Sequence, residues 1–160
     1  MSSAASQRRR VRVVVGGAIG VVLSAGVVAF AAHQWFYVMV LYGFLIGTCG
    51  GLMAWMVLDE FDPSRQGTPI MAVGGLATAT ITYVLYEYLR YRFDVAGLGA
   101  RPGWWDHLGD TARQGAAFGR LGRDSTIDLG AWFVWGARAV EFAIAMCCGA
   151  GIARTVDLRR

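Results

Sequence analysis

Arg138 and Glu141 stand three residues apart near the middle of the last long apolar stretch of the chain, where a charge facing lipid costs at least ~2.5–3.5 kcal/mol. Side chains of these types in such a place must turn toward another helix, a partner chain or a wet cavity. Three uses follow. The two can form an internal salt bridge that fixes helix rotation and pairing; Glu141 can serve as the titrating group of a proton or ion relay; or the charges can receive a partner's transmembrane helix. With about 100° per residue, Trp135, Arg138, Glu141, Phe142, Ala145 and Cys148 share one helical face. Arg before Glu at i, i+3 is reachable but is not the better-oriented order, so a second acid is expected. Glu87, about one turn from the end of the preceding apolar stretch, is the candidate, because a long Arg138 side chain can snorkel outward to meet it.

Other chemistry-bearing residues give weaker signals. Thr78, Thr80 and Thr82 alternate and cannot line one helical face, so bonding to their own helix carbonyls is expected. Cys49, Cys147 and Cys148 lie inside apolar stretches without a C-x-x-C spacing, which disfavours thiol redox chemistry; the vicinal pair reads as two small apolar residues. His33 and His107, the only histidines, fall outside the spans and are misplaced for axial haem ligation. Asp106, His107 and Asp110 could hold a metal, since Asp106 and Asp110 at i, i+4 share a helical face, but they read as a solvated surface before a metal site. No G-x-S-x-G, H-E-x-x-H or phosphate-cradling loop is present. No cofactor and no metal is expected, and nothing supports nucleic-acid binding.

The elements that hold these residues are read from hydropathy. Hydrophobic residues make up 56% of the 160 and charged ones 16%, with mean hydropathy +0.45, a balance foreign to water-soluble domains of this size. The apolar residues are blocked into stretches at about 13–32, 36–58, 69–89 and 130–152, each close to or above the ~20 residues a helix needs to cross a bilayer. The expected fold is all-α: a single polytopic membrane domain over 1–160 with four transmembrane helices and an external loop at about 90–129. Within that loop, residues 103–119 repeat Trp104, Leu108, Ala112, Gly115 and Phe118 at helical spacing, with Asp106, Asp110 and Arg113 opposite. The pattern predicts an interfacial helix lying in the headgroup region before the fourth span, with a glycine-rich loop resting on the bundle as the alternative.

Every one of the 15 basic residues is Arg, which we read as the coding bias of a GC-rich, bacterial genome. Arg8, Arg9, Arg10 and Arg12 precede span one, and Arg154, Arg159 and Arg160 follow span four. The positive-inside rule then places both termini in the cytoplasm of a multi-pass inner (plasma) membrane protein. The link at 59–68, with Asp59, Glu60 and Asp62 against Arg65, is cytoplasmic in this scheme. Trp35, Tyr37, Tyr86, Tyr88, Tyr91, Trp132 and Trp135 gather at the outer boundary as an aromatic belt. Span one also carries signal-peptide features, a basic start and Ala29-Phe30-Ala31 as a cleavage pattern, but its apolar run exceeds the ~7–15 residues of an h-region. It is therefore read as a span.

Each span owns a stripe of small residues that lets helices approach closely where water exclusion cannot drive association. The stripes are Gly16, Gly20 and Ser24; Gly43, Gly47 and Gly51; Gly75 and Ala79; and Ala139, Ala143, Cys147 and Gly151. The second is the firmest packing signal, and it serves either helices of one chain or two copies of it.

The aromatic-then-glycine second span (Trp35-Phe36-Tyr37 through Gly43 to Gly51), the tyrosine-rich exit of span three (Tyr83, Tyr86, Glu87, Tyr88, Tyr91), Gly119-Arg120-Leu121-Gly122 and the stretch from Phe133-Val134-Trp135 to Glu141 resemble a kind of bacterial four-span membrane protein that has no assigned activity. The resemblance runs from Trp35 onward. It implies the architecture and no chemistry, and the link at 59–68 departs from it in having one arginine. Two function classes are expected. The first is a non-enzymatic scaffold or accessory subunit in the lipid bilayer, with a membrane-protein partner or as a homo-oligomer. The alternative is a small oligomeric transporter or ion- or proton-conducting protein built on Arg138 and Glu141.

Overall fold

A computed structural model describes residues 3–34, 39–62, 64, 68–96, 102–113 and 130–156. They form five helices: α1 (Ser3–Gln34), α2 (Met39–Phe61), α3 (Pro69–Asp94), α4 (Trp104–Arg113) and α5 (Gly130–Thr155). All but α4 are long and apolar enough to cross a membrane, so the fold is all-α and polytopic. The choice of helix follows from the apolar runs themselves, because in hydrocarbon each backbone N–H and C=O must be satisfied within its own segment. Pro69 opens α3 behind Thr68, whose backbone is extended (φ −81°, ψ 162°), a place where the missing proline N–H costs nothing.

The helices run past the spans that hydropathy marks out. Residues 8–12, read as preceding the first span, are already helical, since α1 begins at Ser3, and α3 continues to Asp94, past residue 89. Hydropathy locates the edge of the hydrocarbon, whereas backbone hydrogen bonding carries the helix on into polar surroundings. The short helix before the last span covers Trp104–Arg113; residues 114–119 of the expected 103–119 segment lie outside the described residues, as does Gly119-Arg120-Leu121-Gly122.

The helices α2 and α3 pack on each other, and each also packs on α1 and on α5, while α4 rests on α3 and α5. Successive spans alternate in direction. Arg9 near the start of α1 pairs with Glu60 near the end of α2 at 2.9 Å, and Gly75 near the start of α3 abuts Ala153 near the end of α5. The start of α1 and the end of α5 therefore share one end of the bundle. The buried core joins Ala25, Val28 and Ala29 of α1, Tyr42 and Ile46 of α2, Tyr83 and Tyr86 of α3, and Ala145 of α5. Large apolar side chains such as Ile19, Leu23, Val73, Ile81 and Val140 point outward, which only lipid can solvate.

Close approach is concentrated where α2, α3 and α5 meet. A Cβ added at Gly51 would lie 2.7 Å from the Gly149 carbonyl oxygen, and one added at Gly50 would lie 2.8 Å from Ala79 Cα; at Gly47 it would strike the carbonyl of Ala145, and at Gly75 that of Gly149. On α1 the expected pattern is corrected. Gly16 is exposed and faces open space, and Gly17 takes the contact instead, against Val57, beside Gly20 against Met53. On α5 the expected stripe Ala139, Ala143, Cys147, Gly151 is exposed, and the buried one is Glu141, Ala145, Gly149, Ala153. Both stripes repeat every four residues; burial of the carboxylate selects the second.

Candidate functional site

Tyr83 and Glu87 sit four residues apart on α3 and so share a face; Arg138 and Glu141 meet them from α5. The approach is possible because α2 offers Gly43 opposite Glu141: a Cβ there would lie 2.6 Å from the Glu141 carbonyl oxygen and 3.3 Å from its Cγ. Glu141 is fully buried (0% exposed), and the side chains of Arg138 and Glu87 are 13% and 8% exposed.

Arg138 Nη1 donates to Glu87 Oε2 at 2.8 Å, across helices. The second acid expected from the sequence is thus the one that Arg138 pairs with, while Glu141 turns inward. The Tyr83 hydroxyl stands between the two acids, 3.5 Å from Glu87 Oε1 and 3.4 Å from Glu141 Oε2, and also 3.4 Å from the Arg138 carbonyl. A phenol has one proton to donate, so it serves these acceptors in turn. Both carboxyl contacts become hydrogen bonds at once only when one carboxyl is protonated and donates to the phenol oxygen.

Around the acids the walls are aromatic. Phe142 packs edge-on against Tyr83 with centroids 5.2 Å apart, and Tyr86 lies 5.8 Å from Tyr83. The Tyr86 hydroxyl is buried beside Arg90, which acts electrostatically on both Tyr86 and Tyr42. Trp135, expected on this face, is exposed and stays outside the site. Tyr83 is the residue sequence reasoning did not place here. Its signal was its position one turn before Glu87, on the same face.

Elsewhere the polar groups settle locally. Thr78, Thr80 and Thr82 donate to the carbonyls of Gly74, Leu76 and Thr78 at 2.9, 2.9 and 2.7 Å. Both histidines converge on one carboxylate at the end of the bundle away from Arg9: His33 Nδ1 lies 3.0 Å from Asp94 Oδ1 and His107 Nε2 lies 3.6 Å from Asp94 Oδ2. Tyr91 donates to the Pro102 carbonyl at 2.7 Å and packs on His107 with centroids 5.3 Å apart, and Tyr88 meets Trp104 edge-on at 5.8 Å. These contacts dock α4. Among the described residues no group of three His, Cys, Asp or Glu side chains has the geometry to hold a metal ion, and the three cysteines are free thiols. In comparisons with known proteins, no family model, no curated protein and no solved structure matches this chain.

Proposed function

We propose that the chain is a non-enzymatic multi-pass membrane component, a scaffold or accessory subunit whose own helices are locked together so that it can present its surfaces to a membrane-protein partner or a second copy. The observation that carries this reading is the Arg138–Glu87 pair, in which a mostly buried arginine is used to hold α5 to α3. Removing one member of such a pair leaves an uncompensated buried charge, so the pair fixes both helix rotation and partner choice. A bacterial inner membrane, with the shared end of α1 and α5 in the cytoplasm, accords with Arg8, Arg9, Arg10, Arg12 and Arg154 gathering at that end.

A second reading, a proton or ion path, draws on one observation: the Tyr83 hydroxyl reaches both Glu87 and Glu141 within 3.5 Å. A group able to donate and accept links the two carboxyls into a chain along which a proton can pass. One experiment separates the readings. Purified protein is reconstituted in liposomes loaded with a pH-sensitive dye, and decay of an imposed proton gradient is compared with that of empty liposomes. The scaffold reading expects equal decay for wild type, Tyr83→Phe and Glu141→Gln. Faster decay in wild type that Tyr83→Phe abolishes overturns it in favour of the relay.

A further inference from the structure

The basic start of α1 divides into two pairs with different surroundings. Arg9 pairs with Glu60 at 2.9 Å, and Arg10 lies over the Phe61 ring with its guanidinium carbon 5.5 Å from the centroid. Both tie α1 to the end of α2. Arg8 and Arg12 are exposed and, with Gln7 and Val11, line a shallow recess on the other side of the helix.

That side is the lipid-facing one. At about 100° per residue Arg12 lies about 40° from Arg8, and Val15, Ile19, Val22 and Leu23 all fall within about 60° of it. Each of these apolar side chains is at least half exposed, from 50% for Val15 to 61% for Leu23. The same stripe thus changes from apolar to doubly cationic where the hydrophobic run begins. A helix of 32 residues is about 48 Å long, well over the ~30 Å of hydrocarbon, so its first turns stand among headgroups.

We propose that Arg8 and Arg12 form a binding site for the phosphate of one anionic phospholipid, whose acyl chains lie along Val15, Ile19, Val22 and Leu23. Two guanidinium forks one turn apart offer planar, bidentate donors that suit phosphate, and the apolar stripe below them distinguishes a lipid from a soluble anion. Arg9 and Arg10, held against α2, position the helix and are not part of the site.

The test uses the full chain in an uncharged mild detergent and measures binding of fluorescent phosphatidylglycerol, with phosphatidylcholine as reference. Wild type is expected to prefer phosphatidylglycerol. R8Q/R12Q should weaken its binding by roughly 30-fold, as loss of two basic contacts implies, whereas R9Q/R10Q should change it less than about threefold and R8K/R12K should retain most of it. Equal wild-type affinity for the two lipids overturns the proposal without recourse to any variant. Three further results also overturn it: wild-type binding in R8Q/R12Q, an equal loss in R9Q/R10Q, which marks a diffuse basic end, or displacement of the lipid by glycerol phosphate or single-stranded DNA at equal concentration, which marks a soluble polyanion.

Discussion

Arg138 of α5 donates to Glu87 of α3 at 2.8 Å, although Glu141 lies only one turn further along its own helix. The i, i+3 order disfavours the intrahelical bond, and Glu141 is drawn inward by the close seat at Gly43. Charge at this depth is therefore used between helices.

Breaking either side of that pair should be costly. Arg138→Gln and Glu87→Gln are each expected to destabilise the protein by about 3 kcal/mol, and the double variant should recover about 1–3 kcal/mol of the summed loss as coupling energy. Denaturant or thermal unfolding in mild detergent measures both. Strict additivity would show that the two groups do not act on each other.

Tyr83→Phe keeps the ring contact with Phe142 and removes the hydroxyl shared by Glu87 and Glu141. The expected loss is about 0.5–1.5 kcal/mol, the net contribution of a typical buried hydrogen bond. Unfolding curves of Tyr83→Phe beside Tyr83→Leu separate the hydroxyl from the ring.

Glycine positions should respond with opposite outcomes along the chain. Gly75→Ala and Gly47→Ala drive a methyl into the backbone of α5 and are expected to cost about 1–3 kcal/mol or to separate the helices. Gly16→Ala meets open space and should be neutral or stabilising by up to about 1 kcal/mol. Melting temperatures of the three variants decide the matter, and a loss in Gly16→Ala would mean that a second copy covers that face.

Asp94→Asn removes the carboxylate that both His33 and His107 face. The α4 amides are expected to exchange with deuterium about tenfold faster, equivalent to ~1.4 kcal/mol, with exchange in α2 and α5 unchanged. Tyr91→Phe, which loses the bond to the Pro102 carbonyl, should act on the same amides. Uniform acceleration across all helices would instead mean that Asp94 supports the whole bundle.

Much of this protein could be read from the order of its residues. Long apolar runs determine four spanning helices, because a membrane leaves the backbone no other way to satisfy itself; the threonines of α3 donate to carbonyls one turn earlier in their own helix, an equally local choice. The placing of Arg138 and Glu141 away from lipid, and the suitability of Glu87 as a partner, followed from the cost of charge in hydrocarbon. Which small-residue stripe faces inward did not. On α5 two stripes offset by two residues have the same spacing, and on α1 Gly16 and Gly17 are adjacent, so a helix rotation of one or two residues reverses the assignment. Tertiary packing alone decided it, by burying Glu141 against Gly43 and Gly149 against Gly75. It also brought Tyr83 between two acids and drew His33 and His107, far apart in the chain, to Asp94: contacts between helices have no period for a sequence to display.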